Sequence, residues 1–185
     1  MSWIRNGRYR DLFLQLLSPG PNEKILDVGA GKGAVAALVQ QTGAGEVVAL
    51  EPSKKRIALI QGTYPNLKAC RASSEAIPYD DGFFDKVYST VAVHHFPDQV
   101  KSLGEMARVL RPGGTLLIVE ISPRTLLGRV NRFLENGVLR YHLKFLDLDE
   151  LTELLTRGTQ LEMRDARREG PGYFALAVKR SPQER

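Results

Sequence analysis

The sequence has a single cysteine, Cys70, among its 185 residues, and only three histidines. A lone thiol excludes an internal disulfide and a zinc site with several cysteine ligands. His94 and His95 are adjacent, but His142 lies far along the chain, so no tight metal-ligand spacing exists. The sequence therefore predicts a protein without disulfides and without a metal site.

Long apolar runs are also absent. The longest, such as residues 115–119, have the length of a strand and fall far short of the roughly 20 residues that a membrane-spanning helix needs. Residues 1–11 contain no apolar stretch typical of a signal peptide. We therefore expect no transmembrane segment and a cytoplasmic location.

The charge surplus is small, with 26 Lys and Arg against 21 Asp and Glu, a net +5. Residues 1–10 and 124–144 together carry +7, so the rest of the chain is slightly acidic. The second segment also carries apolar residues at helical spacing: Leu126, Leu127, Val130, Phe133, Leu134 and Val138. Three alternatives remain open for it: a helix packed on the sheet, a lid over a substrate pocket, or an amphipathic helix in peripheral contact with a membrane surface. Its few aromatics do not favour nucleic acid as a partner.

Short runs rich in Val, Ile and Leu alternate with helix-length amphipathic runs. This pattern predicts an α/β fold, with a doubly wound parallel sheet covered by helices on both faces. The Gly-Pro-Gly turn at 170–172 predicts that the last two strands are antiparallel, and Pro112-Gly113-Gly114 predicts a sharp turn before the fifth strand. We expect one domain over residues 1–180, with a helical segment at 1–20, a lid-like insertion at 122–146 and a tail at 181–185.

The most informative stretch is the glycine-rich loop between the first strand and the next helix, Ile25-Leu-Asp-Val-Gly-Ala-Gly-Lys-Gly-Ala34. Gly29 and Gly31 allow backbone to approach a ligand, and the following helix N-terminus attracts a carboxylate or phosphate. Glu51 ends the next strand, where an acid can accept hydrogen bonds from both ribose hydroxyls of a nucleoside. This loop alone leaves open an NAD(P)-dependent oxidoreductase and a plain strand-to-helix turn.

Three further stretches lie in order behind that loop: Ala49-Leu-Glu-Pro-Ser53, the loop 72–85 (ASSEAIPYDDGFFD), and the turn 109–118 (VLRPGGTLLI). With these four motifs the sequence resembles the class I S-adenosylmethionine-dependent methyltransferases, in particular the type 11 group that includes ubiquinone/menaquinone methyltransferases. The resemblance covers about residues 22–121 and 145–179. It implies a Rossmann-like methyltransferase fold with seven strands in the order 3-2-1-4-5-7-6, strand 7 antiparallel.

The resemblance also implies S-adenosyl-L-methionine as cofactor and a set of residues that bind it: Tyr9, Asp27, Gly29, Gly31, Glu51, Ser73, Ser74 and Thr90. Asp27 would hold the ammonium group of the cofactor, directly or through water, and Tyr9 would cover the cofactor. Ser73 departs from the family, which usually has an acid that accepts the adenine amino proton there. A hydroxyl accepts that bond more weakly, so either adenine is bound less tightly, or Glu75 or a backbone carbonyl substitutes.

His94 and His95 follow the fourth strand, at the sheet edge where doubly wound folds bind ligands. Imidazole titrates near neutral pH, so either histidine is a candidate catalytic base, although His94 could instead pack or cap the next helix. We predict a methyltransferase acting on a small, partly apolar organic acceptor. The alternatives are an NAD(P)-dependent oxidoreductase and a non-catalytic cofactor-binding regulator. The acceptor and the oligomeric state do not follow from the sequence.

Overall fold

The computed structural model describes residues 7–125, 130, 144–157 and 159–181. Helices and strands alternate along this part of the chain. Their bounds are α1 (Gly7–Leu17), β1 (Lys24–Val28), α2 (Ala34–Gln41), β2 (Glu46–Leu50), α3 (Lys54–Thr63), β3 (Lys68–Cys70), β4 (Phe84–Thr90), a 3₁₀ turn (Val93–His95), α4 (Gln99–Val109), β5 (Leu110–Ile121), α5 (Leu148–Thr156), β6 (Leu161–Glu169) and β7 (Gly172–Lys179).

The strands of the described residues form one sheet in the order β3-β2-β1-β4-β5-β7-β6. Strands β1 to β5 pair in parallel, whereas β7 runs antiparallel to both β5 and β6. The predicted fold class, the strand order and the antiparallel pair around the Gly170–Gly172 turn are therefore confirmed. Because the carboxyl ends of β1, β2 and β4 meet at one edge, the loops that follow these strands are brought together.

Helices cover both faces of the sheet, and each face has its own core. On one face α1, α2 and α3 pack over strand residues such as Ile25, Val47 and Val119. On the other face α4 and α5 pack over residues such as Leu26 and Val48. Neighbouring residues of a strand point to opposite faces. This is why strands buried on both sides read as continuous apolar runs in the sequence.

The N-termini of three helices are set by local side chains. Ser53 accepts a hydrogen bond from the Arg56 N–H at 3.4 Å and caps α3, and Asp98 accepts one from the Lys101 N–H at 3.0 Å and caps α4. Asp147 and Glu150 form a capping box at the start of α5. Such caps satisfy N–H groups that a helix start leaves unpaired, each contributing about 1 kcal/mol.

The segment Pro112-Gly113-Gly114 differs from the prediction. Strand β5 already begins at Leu110, which pairs with Phe84, while Thr115 pairs with Lys86. Residues 111–114 therefore form a bulge inside β5 rather than a turn before it. The Arg111 guanidinium holds this bulge against the Asp85 carboxylate at 2.6 Å.

The insertion is described only at its two ends and at Val130, which is exposed. Most of the predicted apolar stripe (Leu126, Leu127, Phe133, Leu134, Val138) and His142 lie outside the described residues. The two ends are tied together, because Asp147 accepts a hydrogen bond from the Ser122 hydroxyl at 3.2 Å and pairs with Arg124 at 2.8 Å. None of the helices in the described ranges is long and apolar enough to cross a membrane.

Candidate functional site

A cavity of about 680 Å³ opens at the carboxyl ends of β1, β2 and β4. Five of the residues predicted to bind a cofactor line it together with one of the two predicted catalytic histidines: Gly29, Gly31, Glu51, Ser73, Ser74 and His95. Its remaining walls are mostly apolar and include Val35, Leu50, Val91 and Phe96. A cavity of this size, largely apolar with a few polar groups, is typical of a small-molecule site.

The glycine loop lines this cavity, and its backbone lies unusually close to neighbouring elements. Gly29 has a φ of +80°, and a Cβ there would lie 2.7 Å from the Cβ of Ala92. The N–H groups of Gly29 and Ala30 both donate to the Leu50 carbonyl, at 2.9 and 3.0 Å, which ties the loop to the end of β2. Only glycine fits such a position without strain, and the loop therefore presents backbone to the cavity.

Glu51 is buried at the end of β2 and holds the glycine loop and the start of α3 together. Its carboxylate accepts hydrogen bonds from the Gly31 N–H and the Ser53 N–H, each at 3.0 Å. Arg56 lies 3.5 Å from the same carboxylate, with its own side chain more than half exposed. A carboxylate therefore lines the cavity where a sugar hydroxyl could donate to it.

Asp27 and Tyr88 form a buried polar pair below the glycine loop. In the described part of the chain, both Asp27 carboxylate oxygens and the Tyr88 hydroxyl lack a hydrogen-bond partner of ordinary geometry. Burial raises the pKa of Asp27 to about 7, the Tyr88 hydroxyl lowers this pKa and the Glu51 carboxylate raises it. Asp27 does not itself line the cavity. A buried carboxyl in this state favours a cation or a hydrogen-bond donor nearby.

Ser73 and Ser74 line the opposite wall, in the loop after β3. The Ser73 hydroxyl donates to the Glu75 carboxylate at 3.3 Å and accepts from the Glu75 N–H at the same distance. The Ser74 hydroxyl is buried and shares a hydrogen bond of 2.8 Å with the Ser102 hydroxyl on α4. Glu75 stands beside this wall but does not line the cavity.

A second cavity of about 380 Å³ adjoins the first and shares His95, Phe96 and Pro97 with it. His94 and Lys144 line only this smaller cavity, together with apolar Val100 and Leu154 and polar Asp98 and Gln99. The Gln99 amide donates to the carbonyls of Val93 and Lys144, at 3.0 and 2.7 Å, and so holds the returning end of the insertion against the 3₁₀ turn. Two adjoining cavities therefore meet at His95.

His94 is buried, and its Nδ1 lies 2.9 Å from Oε2 of Glu120 on β5. Its ring stacks on Phe145 at 4.5 Å between centroids and lies 4.2 Å from the ring of His95. Sequence reasoning missed Glu120. The available signal was its position as the one acidic residue in the otherwise apolar run of β5, Thr115-Leu-Leu-Ile-Val-Glu-Ile121. A buried acid at the carboxyl end of a central strand is typical of a functional site.

Besides Asp27, two of the predicted cofactor residues, Thr90 and Tyr9, line neither cavity. Thr90 is buried at the end of β4, although the next residue, Val91, lines the larger cavity with a φ of +50°, which is rare for a β-branched residue. The Tyr9 hydroxyl lies against Gly170 in the β6–β7 turn. Within the described ranges, no group of three or more His, Cys, Asp and Glu side chains could hold a metal ion.

The sequence matches the Methyltransferase domain family over residues 26–118. It is 34% identical to a demethylmenaquinone methyltransferase of Chlorobaculum tepidum over 97 residues, which are 52% of this chain and 40% of that protein. It is 35% identical to a sarcosine/dimethylglycine N-methyltransferase of Halorhodospira halochloris over 107 residues, 55% of this chain and 38% of that protein. The chain thus spans well under half the length of these two relatives.

The fold is also similar to that of a solved methyltransferase of Haloferax volcanii in complex with a methyltransferase activator. That structure superposes with a TM-score of 0.85 and 16% identity, covering 100% of this chain and 93% of the other. At this identity the likeness concerns the fold alone. It extends over the elements that surround both cavities.

Proposed function

Because the chain belongs to the class I S-adenosylmethionine-dependent methyltransferases of type 11, we propose that it transfers a methyl group from S-adenosylmethionine to a small, partly apolar organic acceptor. The observation that carries this proposal is the 680 Å³ cavity at the glycine loop, which joins Gly29, Gly31, Glu51 and the Ser73–Ser74 wall. A second, smaller cavity adjoins it and offers room for the acceptor.

The residues around the larger cavity fit this cofactor. Glu51 accepts hydrogen bonds from the ribose hydroxyls, and Ser73 and Ser74 face the adenine. The buried Asp27 carboxyl, with its unsatisfied oxygens, favours the ammonium group, directly or through water. The N–H groups of the glycine loop already donate within the protein, so the N-terminus of α2 provides the donors for the methionine carboxylate. Thr90 and Tyr9 line neither cavity, and their assignment to the cofactor stays a prediction.

When bound, the cofactor supplies an electrophilic methyl group whose bonding electron pair remains on sulfur after transfer. The contribution of the chain is to hold the acceptor in line, to exclude water and, where the acceptor arrives protonated, to remove its proton. His94 and His95 are the candidate bases, because His94 lines the smaller cavity and His95 lines both.

The smaller cavity suggests what the acceptor looks like. Phe96, Pro97, Val100 and Leu154 give it apolar walls. Lys144 places one cationic side chain at its rim, in the part of the insertion that returns to the sheet. We therefore expect an acceptor with an apolar body and a polar or acidic group.

The main alternative, an NAD(P)-dependent oxidoreductase, is disfavoured by the carboxyl below the loop. The pyrophosphate of a dinucleotide would sit near the buried Asp27 carboxyl and would gain nothing from it, because like charges repel. A cofactor with an ammonium group meets the same carboxyl favourably.

Isothermal titration calorimetry with S-adenosylhomocysteine and with NAD tests this proposal. We expect binding of S-adenosylhomocysteine and none of NAD, and the reverse result would refute it. A crystal structure with S-adenosylhomocysteine would then separate an enzyme from a non-catalytic regulator. An enzyme requires an open path from the smaller cavity to the position of the transferred methyl group, and a sealed position would favour the regulator.

A further inference from the structure

We propose that Glu120 is a positioning residue that keeps the proton of the neutral His94 ring on Nδ1, so that Nε2 takes a proton from the acceptor. This proposal rests on the proposed methyltransferase function, since it identifies the residue that sets the tautomer of His94, one of the two candidate bases. It adds a residue on β5 to a site whose predicted members lie on α1, on β1, on β4 and in the loops after β1 to β4.

The hydrogen bonds around Glu120 determine its role as an acceptor. Oε1 accepts from the Val93 N–H at 2.7 Å, and Oε2 accepts from the Ile121 N–H at 3.3 Å. Both carboxylate oxygens thus act as acceptors, and a carboxylate has no proton to donate. His94 Nδ1, 2.9 Å from Oε2, must therefore donate.

That donation decides the chemistry of the other ring nitrogen. A neutral imidazole carries one proton, so a proton on Nδ1 gives Nε2 the lone pair. Nε2 therefore acts as a hydrogen-bond acceptor toward any partner. The same relation between a carboxylate and an imidazole orients general bases in unrelated enzymes.

The surroundings make this arrangement rigid. Both side chains are buried, with 2% of His94 and 4% of Glu120 exposed. The His94 ring stacks on Phe145, and the Glu120 carboxylate accepts a hydrogen bond from the N–H of Val93, the residue before His94. A preorganised buried pair of this kind stabilises the imidazolium that forms when Nε2 takes a proton, without reorganising solvent.

Other titratable groups face the pair from neighbouring elements. His95 lies beside His94, and Asp98 and Lys144 line the same cavity. Tyr173 on β7 is near enough that the Glu120 charge, after burial, raises its pKa. Its hydroxyl donates to the Leu146 carbonyl at 3.0 Å.

The proton balance is simple. The acceptor loses a proton from the atom that is methylated, and that proton moves to Nε2 of His94. The ring then carries a positive charge next to the Glu120 carboxylate and releases the proton to solvent after product leaves. No oxidant or further reactant is needed.

Glu120→Gln is the decisive variant, because glutamine keeps an oxygen for the Val93 N–H but turns an NH₂ group toward Nδ1. Nitrogen-15 NMR of the free protein reports the tautomer directly and needs no acceptor. The His94 signals can be assigned with His95→Gln and His142→Gln. We expect an Nδ1–H ring in the wild type and an Nε2–H ring in Glu120→Gln, with a lower His94 pKa in the variant.

Glu153→Gln is the matched control, since Glu153 is an exposed residue of α5 that pairs with Arg157 and its loss should leave the His94 tautomer unchanged. An Nε2–H ring in the wild type, or an unchanged tautomer in folded Glu120→Gln, would overturn the proposal.

If Glu120→Gln does not fold, Glu120→Asp serves instead. It withdraws the carboxylate from His94 and should lower the His94 pKa, and an unchanged His94 pKa in this variant counts against the proposal. The calorimetry above is independent of these results, so failure of the two proposals can be told apart. With an acceptor in hand, turnover by Glu120→Gln should fall about 100-fold or more, with the acid limb of its pH profile shifted.

Discussion

Asp27 on β1 and Tyr88 on β4 are direct partners in the parallel register of the two strands, and both side chains are buried on the same side of the sheet. The carboxyl stands next to a hydroxyl and near a second acid, Glu51, instead of a cation. Its pKa of about 7 means that the carboxyl is about half protonated at neutral pH and protonated below it. This proton connects cofactor binding and protein stability to pH.

Binding of S-adenosylhomocysteine should therefore depend on pH. An ammonium group next to Asp27 favours the ionised carboxyl, so below about pH 7 binding has to release the proton. We expect the affinity to fall up to tenfold per pH unit below pH 7 and to level off above it. Calorimetry between pH 5.5 and 8.5 measures this.

Tyr88→Phe and Asp27→Asn are the matched variants for that experiment. The Tyr88 hydroxyl lowers the pKa of Asp27, so its removal should move the midpoint of the pH dependence to higher pH. Asp27→Asn should weaken binding at pH 8 and flatten the profile. A wild-type profile without any change between pH 6 and 8 would rule out a titrating Asp27 at the cofactor.

Asp27 should also lower the stability of the empty protein at alkaline pH. An acid whose pKa is raised on folding contributes stability below its unfolded pKa of about 3.9, and this contribution is lost as the pH rises through about 7. Asp27→Asn removes the cost of the buried charge. We expect its free energy of unfolding at pH 8 to exceed that of the wild type by about 1–3 kcal/mol.

The difference should shrink as the pH falls toward the unfolded pKa of about 3.9, because the wild-type carboxyl is then protonated in the folded state and increasingly protonated in the unfolded state. Denaturant unfolding at pH 4.5, 6 and 8 checks this. A variant that is less stable than the wild type at pH 8 would contradict the expectation. It would mean that an undescribed partner, such as an ordered water, satisfies the Asp27 carboxylate.

Glu51→Ala should weaken binding of S-adenosylhomocysteine by about 1–3 kcal/mol, roughly 5- to 150-fold, because charge-assisted hydrogen bonds to ribose are lost. Part of the loss comes from the glycine loop, since Glu51 also accepts from the Gly31 N–H. Glu46→Ala on β2 is the control, because Glu46 pairs with Lys68 at 2.8 Å near the surface. Equal affinities for both variants would remove Glu51 from the site.

Ser73 offers a gain-of-affinity test. A carboxylate at this position would accept the adenine amino proton more strongly than a hydroxyl, by about 1 kcal/mol or about 5-fold. Glu75 lies beside Ser73, so its carboxylate would repel a carboxylate introduced at position 73. The test variant is therefore Ser73→Asp combined with Glu75→Gln. We expect tighter binding of S-adenosylhomocysteine, but not of S-inosylhomocysteine, which lacks the amino group. Equal gains for both ligands would place Ser73 away from the amino group.

The fold followed from local patterns. The runs at Lys24–Val28 and Glu46–Leu50 appear as the strands β1 and β2, because a strand buried on both faces is apolar at most of its positions. The strand order came from the resemblance of four motifs and not from periodicity. The boundary of β5 was wrong because the pairing of Leu110 with Phe84 depends on β4, which lies outside the local sequence.

The site divides in the same way. The sequence by itself determined the glycine loop and the acid at the end of β2. A tight turn needs glycine, and the end of a strand can be located from the apolar run that precedes it. Only the tertiary structure decided that Tyr88 faces Asp27 and that Glu120 reaches His94, since register between strands brings together residues that are 61 and 26 positions apart. It likewise decided that Tyr9 lies against Gly170. Contacts of this range depend on how the whole sheet aligns, and no local pattern encodes that alignment.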